Sequence, residues 1–277
     1  MNRKKLILKL TSIGFLSVFA LAGCKDSNEI ETPNIPAVPL KYTYTLAAKD
    51  LLGVSGTVTF EETSVGSSDS KVTITLLGAP VGFHPAHIHN NAAIETGDIA
   101  YPLNDVDSVG KSTTILSISY ASLLNYDGYV NVHLDEFTLG TIIAQGDIGG
   151  NEIINSNETY TLNQDSTSGI FGTARFDSRK NGTTLVTIDL TTGGVLPSGN
   201  YPAQINLGSV STIGAPVKTK TLSPVDGDTR KSMTNVRALD NGTAITFSNW
   251  QVYDGFMSVQ DAANVADIIS IGNIGAN

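Results

Sequence analysis

Cysteine, histidine and basic residues are scarce in this chain. Its 277 residues include one cysteine, four histidines and one tryptophan. A single cysteine excludes intrachain disulfides and any site built from clustered thiolates. The sequence also has no Gly-x-Ser-x-Gly elbow and no phosphate-binding glycine loop, which argues against a serine hydrolase and a nucleotide-binding enzyme.

Acidic residues outnumber basic residues by 26 to 17, for a net charge of −9. Residues 1–23 contain four of the basic residues and no acidic one, so removing them leaves 13 basic and 26 acidic residues and a net charge of −13. Such a surface repels nucleic-acid phosphates and attracts cations. We therefore expect no nucleic-acid partner.

The N-terminus has the organisation of a signal peptide. Four basic residues are followed by residues 10–22, which carry no charge and are too few to span a bilayer. This stretch ends in Leu21-Ala22-Gly23-Cys24, which resembles the bacterial lipobox, where cleavage leaves the cysteine lipid-modified. We predict a lipoprotein signal peptide at 1–23 and lipidation at Cys24; an ordinary secreted protein with an unmodified thiol is the alternative.

Residues 24–40 contain three prolines and little periodic apolar pattern, which is typical of an extended tether. Residues 25–29 resemble the lysine-plus-acid signals that send some bacterial lipoproteins to the cell surface. We therefore expect a cell-envelope protein that is held at the outer membrane by its lipidated N-terminus and exposed on the surface.

The rest of the chain is an internal duplication. Residues 44–60 align with residues 160–176 without a gap, and seven of the 17 positions are identical. Later matches keep the same order, and the offset between copies drifts only as loop insertions would produce. Short alternating runs such as 71–76 and 184–190 predict strands, while only 120–124 and 261–267 have a helical pattern. We predict one β domain at 41–152 and a second at 153–277.

All four histidines lie in two short runs, residues 83–89 and 129–133. Side chains alternate along a strand, so His87 and His89 share a face, and a neighbouring strand would bring His133 to the same patch. Imidazoles suit copper and zinc, so these three residues are candidate metal ligands.

Other groups near these runs are weaker candidates for the same site. His84 is a candidate fourth ligand, although we expect Pro85 to break the strand and turn His84 aside. Asp135 and Glu136 follow His133 and are candidates for an oxygen ligand.

The second copy has no histidine at the matching positions, which are Tyr201, Gln204, Asn206 and Gln260. Two interpretations follow. Either the first copy alone keeps a metal site, or both copies need hydrogen-bonding side chains there to satisfy a buried polar seam.

The histidine runs resemble those of the CHRD domain, a family named after chordin. Ala86-His87-Ile88-His89 matches its HIH motif, and residues 129–133 match its YVNVH motif. A third, GEIRGQ-like motif is matched only in part, because Thr141 and Ile143 replace its Glu and Arg. The resemblance covers about residues 42–150 and implies an immunoglobulin-like β-sandwich with a recognition role. Residues 82–89 also resemble one strand of copper–zinc superoxide dismutases.

The sequence therefore predicts an all-β protein with two tandem immunoglobulin-like or superoxide-dismutase-like β-sandwich domains after a lipoprotein signal peptide; the second is a degenerate CHRD-like copy. We expect a membrane-anchored, extracytoplasmic binding or structural module without catalysis, whose ligand is a protein or a glycan. The alternative is a copper- or zinc-binding protein with superoxide-dismutase-like activity at His87, His89 and His133.

Overall fold

A computed structural model describes residues 37–193, 196–212 and 216–277. The predicted signal peptide, the lipidation site Cys24 and most of the tether lie outside the described residues. Val38–Asn277 forms one compact unit. Its described part is all β, with sixteen strands, two short helices and one short 3₁₀ turn. Within this part, no helix has the length and apolar character that crossing a membrane requires.

The first half of the unit is an antiparallel sheet of eight strands in the order β5-β4-β7-β8-β1-β2-β3-β6. The strands are β1 (Lys41–Ala48), β2 (Ser55–Glu62), β3 (Ser70–Leu77), β4 (His84–Asn90), β5 (Ile99–Val106), β6 (Lys111–Leu116), β7 (Asp127–His133) and β8 (Ile142–Gly149). Helix α1 (Tyr120–Leu123) precedes β7. Only two residue pairs join β1 to β8, so the sheet divides there into two four-stranded layers. Both layers contribute to one core, for example through Phe60 and Val130.

The second half repeats this arrangement with every strand shifted by eight, in the order β13-β12-β15-β16-β9-β10-β11-β14. The strands are β9 (Ile153–Gln164), β10 (Ile170–Arg179), β11 (Thr184–Thr192), β12 (Asn200–Leu207), β13 (Val217–Asp226), β14 (Lys231–Val236), β15 (Asp254–Gln260) and β16 (Ile268–Gly275). Helix α2 (Phe247–Gln251) precedes β15, as α1 precedes β7. A separate core includes Phe176 and Trp250. The all-β prediction and the tandem architecture are therefore confirmed.

The two halves share strand register as well as strand order. In β4 and β7, His87 lies opposite Asn131 and His89 opposite Tyr129. In β12 and β15, Gln204 lies opposite Ser258 and Asn206 opposite Phe256. The β7–β8 pairing shifts register just before His133, the last residue of β7. The β15–β16 pairing does the same just before Gln260, the last residue of β15. The aligned positions of the sequence are therefore equivalent positions of the fold.

Alternating burial explains why these segments form strands. Strand β3 alternates buried positions with partly buried or exposed ones, as the sequence pattern predicts for a layer that covers a core on one side. The predicted helix at 120–124 is confirmed as α1.

The helical pattern at 261–267 was a wrong prediction. The Asp261 carboxylate accepts from the backbone N–H groups of Ala263 and Asn264, and Asp261 N–H donates to Asp267 O. These bonds close a turn between β15 and β16, because an aspartate carboxylate competes with helical hydrogen bonding.

Candidate metal centre

The candidate site lies on the outer face of the first half, on β4 and its neighbour β7. Ala86 and Ile88 of β4 point into the core, so His87 and His89 point to the opposite face. His89 is nevertheless buried, and so is His133 at the end of β7. Two loops, residues 91–98 and 134–141, contact these rings and account for part of their burial.

Three of the four predicted ligands converge. His87, His89 and His133 each offer a ligand atom, and these atoms lie within 4.8 Å of one another. The ring centroids are 5.3 Å apart for His87 and His133, and 5.8 Å apart for His87 and His89. Among the described residues this is the one cluster of at least three histidine, cysteine or acidic side chains with such spacing.

Backbone carbonyl groups orient two of the three rings. The Nδ1 atom of His89 lies 2.9 Å from Gly97 O, and that of His133 lies 2.6 Å from Leu139 O. A carbonyl oxygen only accepts, so Nδ1 carries the proton in both rings and Nε2 of the neutral ring carries a free lone pair. This is the outer contact that metal-binding histidines commonly make, and it fixes the tautomer as well as the ring orientation.

Two ring nitrogens of the cluster are buried without a hydrogen-bond partner among the described residues. His87 Nδ1 and His89 Nε2 are buried, and neither finds a donor or an acceptor among the described residues. An unsatisfied buried polar atom costs about 1–3 kcal/mol. A cation placed between the rings would satisfy both atoms.

Burial favours the neutral, metal-binding form of His87 and His133. The pKa of His87 is lowered, first by burial and then by the neighbouring His133 and His89, while Asp105 acts in the opposite direction. Burial also lowers the pKa of His133, against the effect of the Leu139 carbonyl. Both rings are therefore neutral near pH 7, which is the form that binds metals.

The spacing of the cluster fits a metal ion. Tetrahedral zinc with bonds of 2.0–2.1 Å places its nitrogen ligands about 3.3 Å apart. Starting from separations within 4.8 Å, each nitrogen needs to move inward by less than about 1 Å. Tyr129 stacks on His89 at a centroid distance of 4.9 Å and restricts the rotation of that ring.

The remaining sequence candidates are not part of the cluster. His84 is buried, and its two ring nitrogens lie 2.6 Å from Leu134 O and 2.9 Å from Pro80 O, so neither is free for a metal. Pro85 does not end the strand as expected. Instead, β4 continues through it, and its pairing with β5 shifts register between His84 and Ala86, where the ladder tolerates proline.

The acidic candidates are also outside the cluster of three ligands. Asp135 Oδ1 accepts from the backbone N–H groups of Phe137 and Thr138 and from the Thr138 hydroxyl group. Asp135 therefore stabilises the loop that contains Leu139. Glu136 lies next to Asp135, on the wall of an open cleft with a volume of about 380 Å³. Three imidazoles without a carboxylate form the candidate ligand set.

The equivalent positions of the second half form a hydrogen-bonded network. Gln204 Nε2 donates to Asn206 Oδ1 at 2.9 Å, and Asn206 Nδ2 donates to Ser258 Oγ at 3.0 Å. Gln260 Nε2 donates to the same hydroxyl oxygen at 2.8 Å, which leaves Gln260 Oε1 without a partner. Amide and hydroxyl groups bond directly to one another here, whereas in the first half two rings direct Nδ1 to loop carbonyls and no direct hydrogen bond joins the three rings among the described contacts.

Sequence reasoning missed the carbonyl groups of Gly97 and Leu139 and the stacking by Tyr129. Alternation along β7 puts Tyr129 on the same face as His133, but the sequence alone does not show that its ring stacks on His89. Phe256, the counterpart of Tyr129, is also buried, and alternation puts it on the face opposite Met257 and Val259 of the core.

Comparison with known proteins adds no assignment. Searches against protein-family models, curated proteins and solved structures find no significant match to this chain. The resemblance to the CHRD family stays a prediction, and the geometry of the histidine cluster is the basis for a functional conclusion.

Proposed function

We propose that this protein binds one copper or zinc ion through His87, His89 and His133. The observation that carries the proposal is the convergence of three imidazoles, two of which have a buried ring nitrogen without a partner among the described residues. Imidazole nitrogen is a good ligand for both metals, and three protein ligands leave a coordination position open.

The second half of the chain supports a metal over a purely structural polar seam. Its equivalent residues are joined by direct hydrogen bonds, as a structural seam requires. In the first half, two rings direct Nδ1 to loop carbonyls, and the described residues offer no partner to His87 Nδ1 and His89 Nε2. A seam that needed only internal hydrogen bonds would favour the amide residues of the second half.

The setting that we propose for this site is the cell envelope. Support comes from the lipobox-like Leu21–Cys24, the tether up to residue 40 and the CHRD-like histidine motif of the first copy. The protein would be held at the outer membrane by its lipid and would act as a non-catalytic binding module, in which the acidic mature chain attracts the cation. A protein or glycan partner remains part of the proposal for the module as a whole.

Titration of the metal-free protein with zinc and copper salts tests the proposal. We expect one site per chain in the wild type and loss of that site in the His87→Ala, His89→Ala double variant. The matched control is Gln204→Ala, Asn206→Ala, which changes the equivalent positions of the second half and should leave the stoichiometry at one. No stoichiometric binding by the wild type would refute the proposal.

Redox activity is the second candidate function. His87 is partly exposed while His89 and His133 are buried, so the open coordination position would lie on the solvent side of the cluster. A superoxide dismutation assay on copper-loaded protein, with the double histidine variant as the blank, separates this candidate from binding alone.

A further inference from the structure

The loop of residues 91–98 is held in a conformation that needs external support. Asn91 and Thr96 have positive φ values of 68° and 60°, which residues with a side chain adopt at a cost. A Cβ atom on Gly97 would lie 2.1 Å from Asn90 O, so the backbone passes too close there for any other residue. This loop places Gly97 O on His89, and its conformation therefore decides where His89 points.

The second half of the chain holds the tip of this loop. Glu95, two residues before Gly97, accepts from Asn235 Nδ2 at 2.8 Å and from Arg237 Nη2 at 2.9 and 3.0 Å. Within the loop, Glu95 also accepts from the backbone N–H of Ala92. Asn235 belongs to β14, and Arg237 follows that strand directly. A carboxylate that accepts from both halves ties the loop to the opposite domain.

A second contact fixes the start of the loop. Asp147 Oδ1 accepts from Ala93 N–H at 2.8 Å, and Asp147 Oδ2 forms an ion pair at 2.8 Å with Arg179 of the second half. The equivalent residue of the second half, Asn273, accepts from Val210 N–H at the same distance. An asparagine such as Asn273 is thus sufficient to accept from the loop backbone. The aspartate of the first half, Asp147, makes this contact and in addition pairs with Arg179.

From these contacts we propose that Glu95 and Arg237 are positioning residues for the metal site, so that the second half sets the metal affinity of the first. The inference rests on the proposed metal-binding function. Asn235 and Arg237 of the second half bind Glu95 in the loop, and the conformation of the loop fixes the position of Gly97 O. This oxygen accepts from Nδ1–H of His89 and so orients the ring. Losing an outer contact of a metal-binding histidine weakens metal affinity by about 10–100-fold. Glu95 acts on His89 only through the loop, so we expect its loss to weaken metal affinity by about 10-fold, the lower end of this range.

The test compares Glu95→Ala with Asp189→Ala in the full chain. Asp189 also accepts from a cation, Lys231 of β14, and among the described residues this pair forms no hydrogen bond or ion pair with the loop or the histidine cluster. We expect zinc to bind about 10-fold more weakly to Glu95→Ala and equally well to Asp189→Ala. Glu95→Gln keeps an oxygen acceptor for Asn235 and should recover most of the affinity.

A spectroscopic readout separates positioning from stability. The electron paramagnetic resonance spectrum of bound Cu²⁺ reports ligand geometry, so we expect altered g and hyperfine values in Glu95→Ala and unchanged values in Asp189→Ala. Unchanged zinc affinity and an unchanged copper spectrum in Glu95→Ala would overturn the inference while the proposed function stands. Failure of the wild type to bind either metal would refute the proposed function itself.

Hydrogen exchange on the wild type covers the case in which Glu95→Ala does not fold. Coupling is reciprocal, so zinc should slow amide exchange both in residues 91–98 and around Asn235 and Arg237. Slower exchange confined to the histidine strands and the 91–98 loop would contradict a role for the second half.

Discussion

Arg179 is the one lysine or arginine that is buried among the described residues, with 1% of its side chain exposed. Its guanidinium group pairs with Asp147 and donates through Nη1 to Asn151 O at 2.8 Å, so it joins the second half to the first. The Nε atom has no partner among the described residues. A cation in such a place stabilises the fold only while its partners are present, because an unpaired buried charge is costly.

Replacing Arg179 with methionine tests this contact. Loss of one partner of a buried ion pair costs about 3–5 kcal/mol, and Asp147 is partly exposed, so we expect the free energy of unfolding to fall by about 3 kcal/mol. Urea denaturation, monitored by the fluorescence of Trp250, measures this free energy of unfolding. The control Lys231→Met removes an exposed ion pair and should cost less than about 1 kcal/mol. Equal losses in the two variants would contradict the role of Arg179.

The individual histidines differ in how far the sequence could place them. His87, His89 and His133 could be brought to one face because a strand has a period of two and the two runs pair. The acceptors Gly97 O and Leu139 O could not be predicted, since every residue has a carbonyl group and only the path of a loop decides which one reaches a ring. The same reason explains why His84, with both nitrogens against carbonyl oxygens, is separate from the cluster.

At the scale of elements, β4 and β7 have counterparts in β12 and β15 with the same register and the same irregularity before the last residue. The backbone of the second half therefore presents three side chains in the arrangement that holds His87, His89 and His133. The two sites differ in side chains, and the amide network of the second half has no free lone pair of imidazole type.

Installing three histidines in the second half should therefore create a second site. We expect the triple variant Gln204→His, Asn206→His, Gln260→His to bind two zinc ions per chain, measured by titration and by metal analysis after dialysis. In the His87→Ala, His89→Ala background, the same triple change should restore a stoichiometry of one. A triple variant that folds but binds no additional metal would show that strand geometry alone is insufficient.

Most elements could be predicted from alternation, but the short helix α2 could not. Helix α1 buries Tyr120 and Leu123, which are three residues apart, whereas α2 (Phe247–Gln251) buries only Trp250, so no apolar period marks α2 in the sequence. Its position before β15 follows from the duplication, because α1 occupies the matching place before β7. The repeat is thus the sequence feature that could have located α2, whereas the local pattern predicted a helix at 261–267, where the structure has a turn.

At the scale of the whole molecule, the duplication could be predicted and the contact between the copies could not. Repeated sequence shows two similar domains, but it does not show which faces meet. Glu95 and Arg237 are ordinary charged residues in the sequence, and only the fold brings them together across 142 positions. The second copy, which has no histidine, thereby acquires a structural role toward the first.

Attachment of the whole protein to the membrane is predicted to depend on a lipid at Cys24. A Cys24→Ser variant has no thiol to acylate, so we expect it to move from the membrane fraction to the soluble fraction of the envelope. Fractionation and immunoblotting, with mass spectrometry of the mature N-terminus of the wild type, measure this. If the serine variant stayed in the membrane fraction, the attachment would not depend on Cys24.

The central claim is that three histidines of the first half hold one metal ion. Crystals of zinc-loaded protein, measured at and below the zinc absorption edge, test it most directly. The account predicts one anomalous peak per chain, about 2.0–2.1 Å from a ring nitrogen of each of His87, His89 and His133. A well-ordered cluster without a peak, or a peak held by other residues, would contradict it.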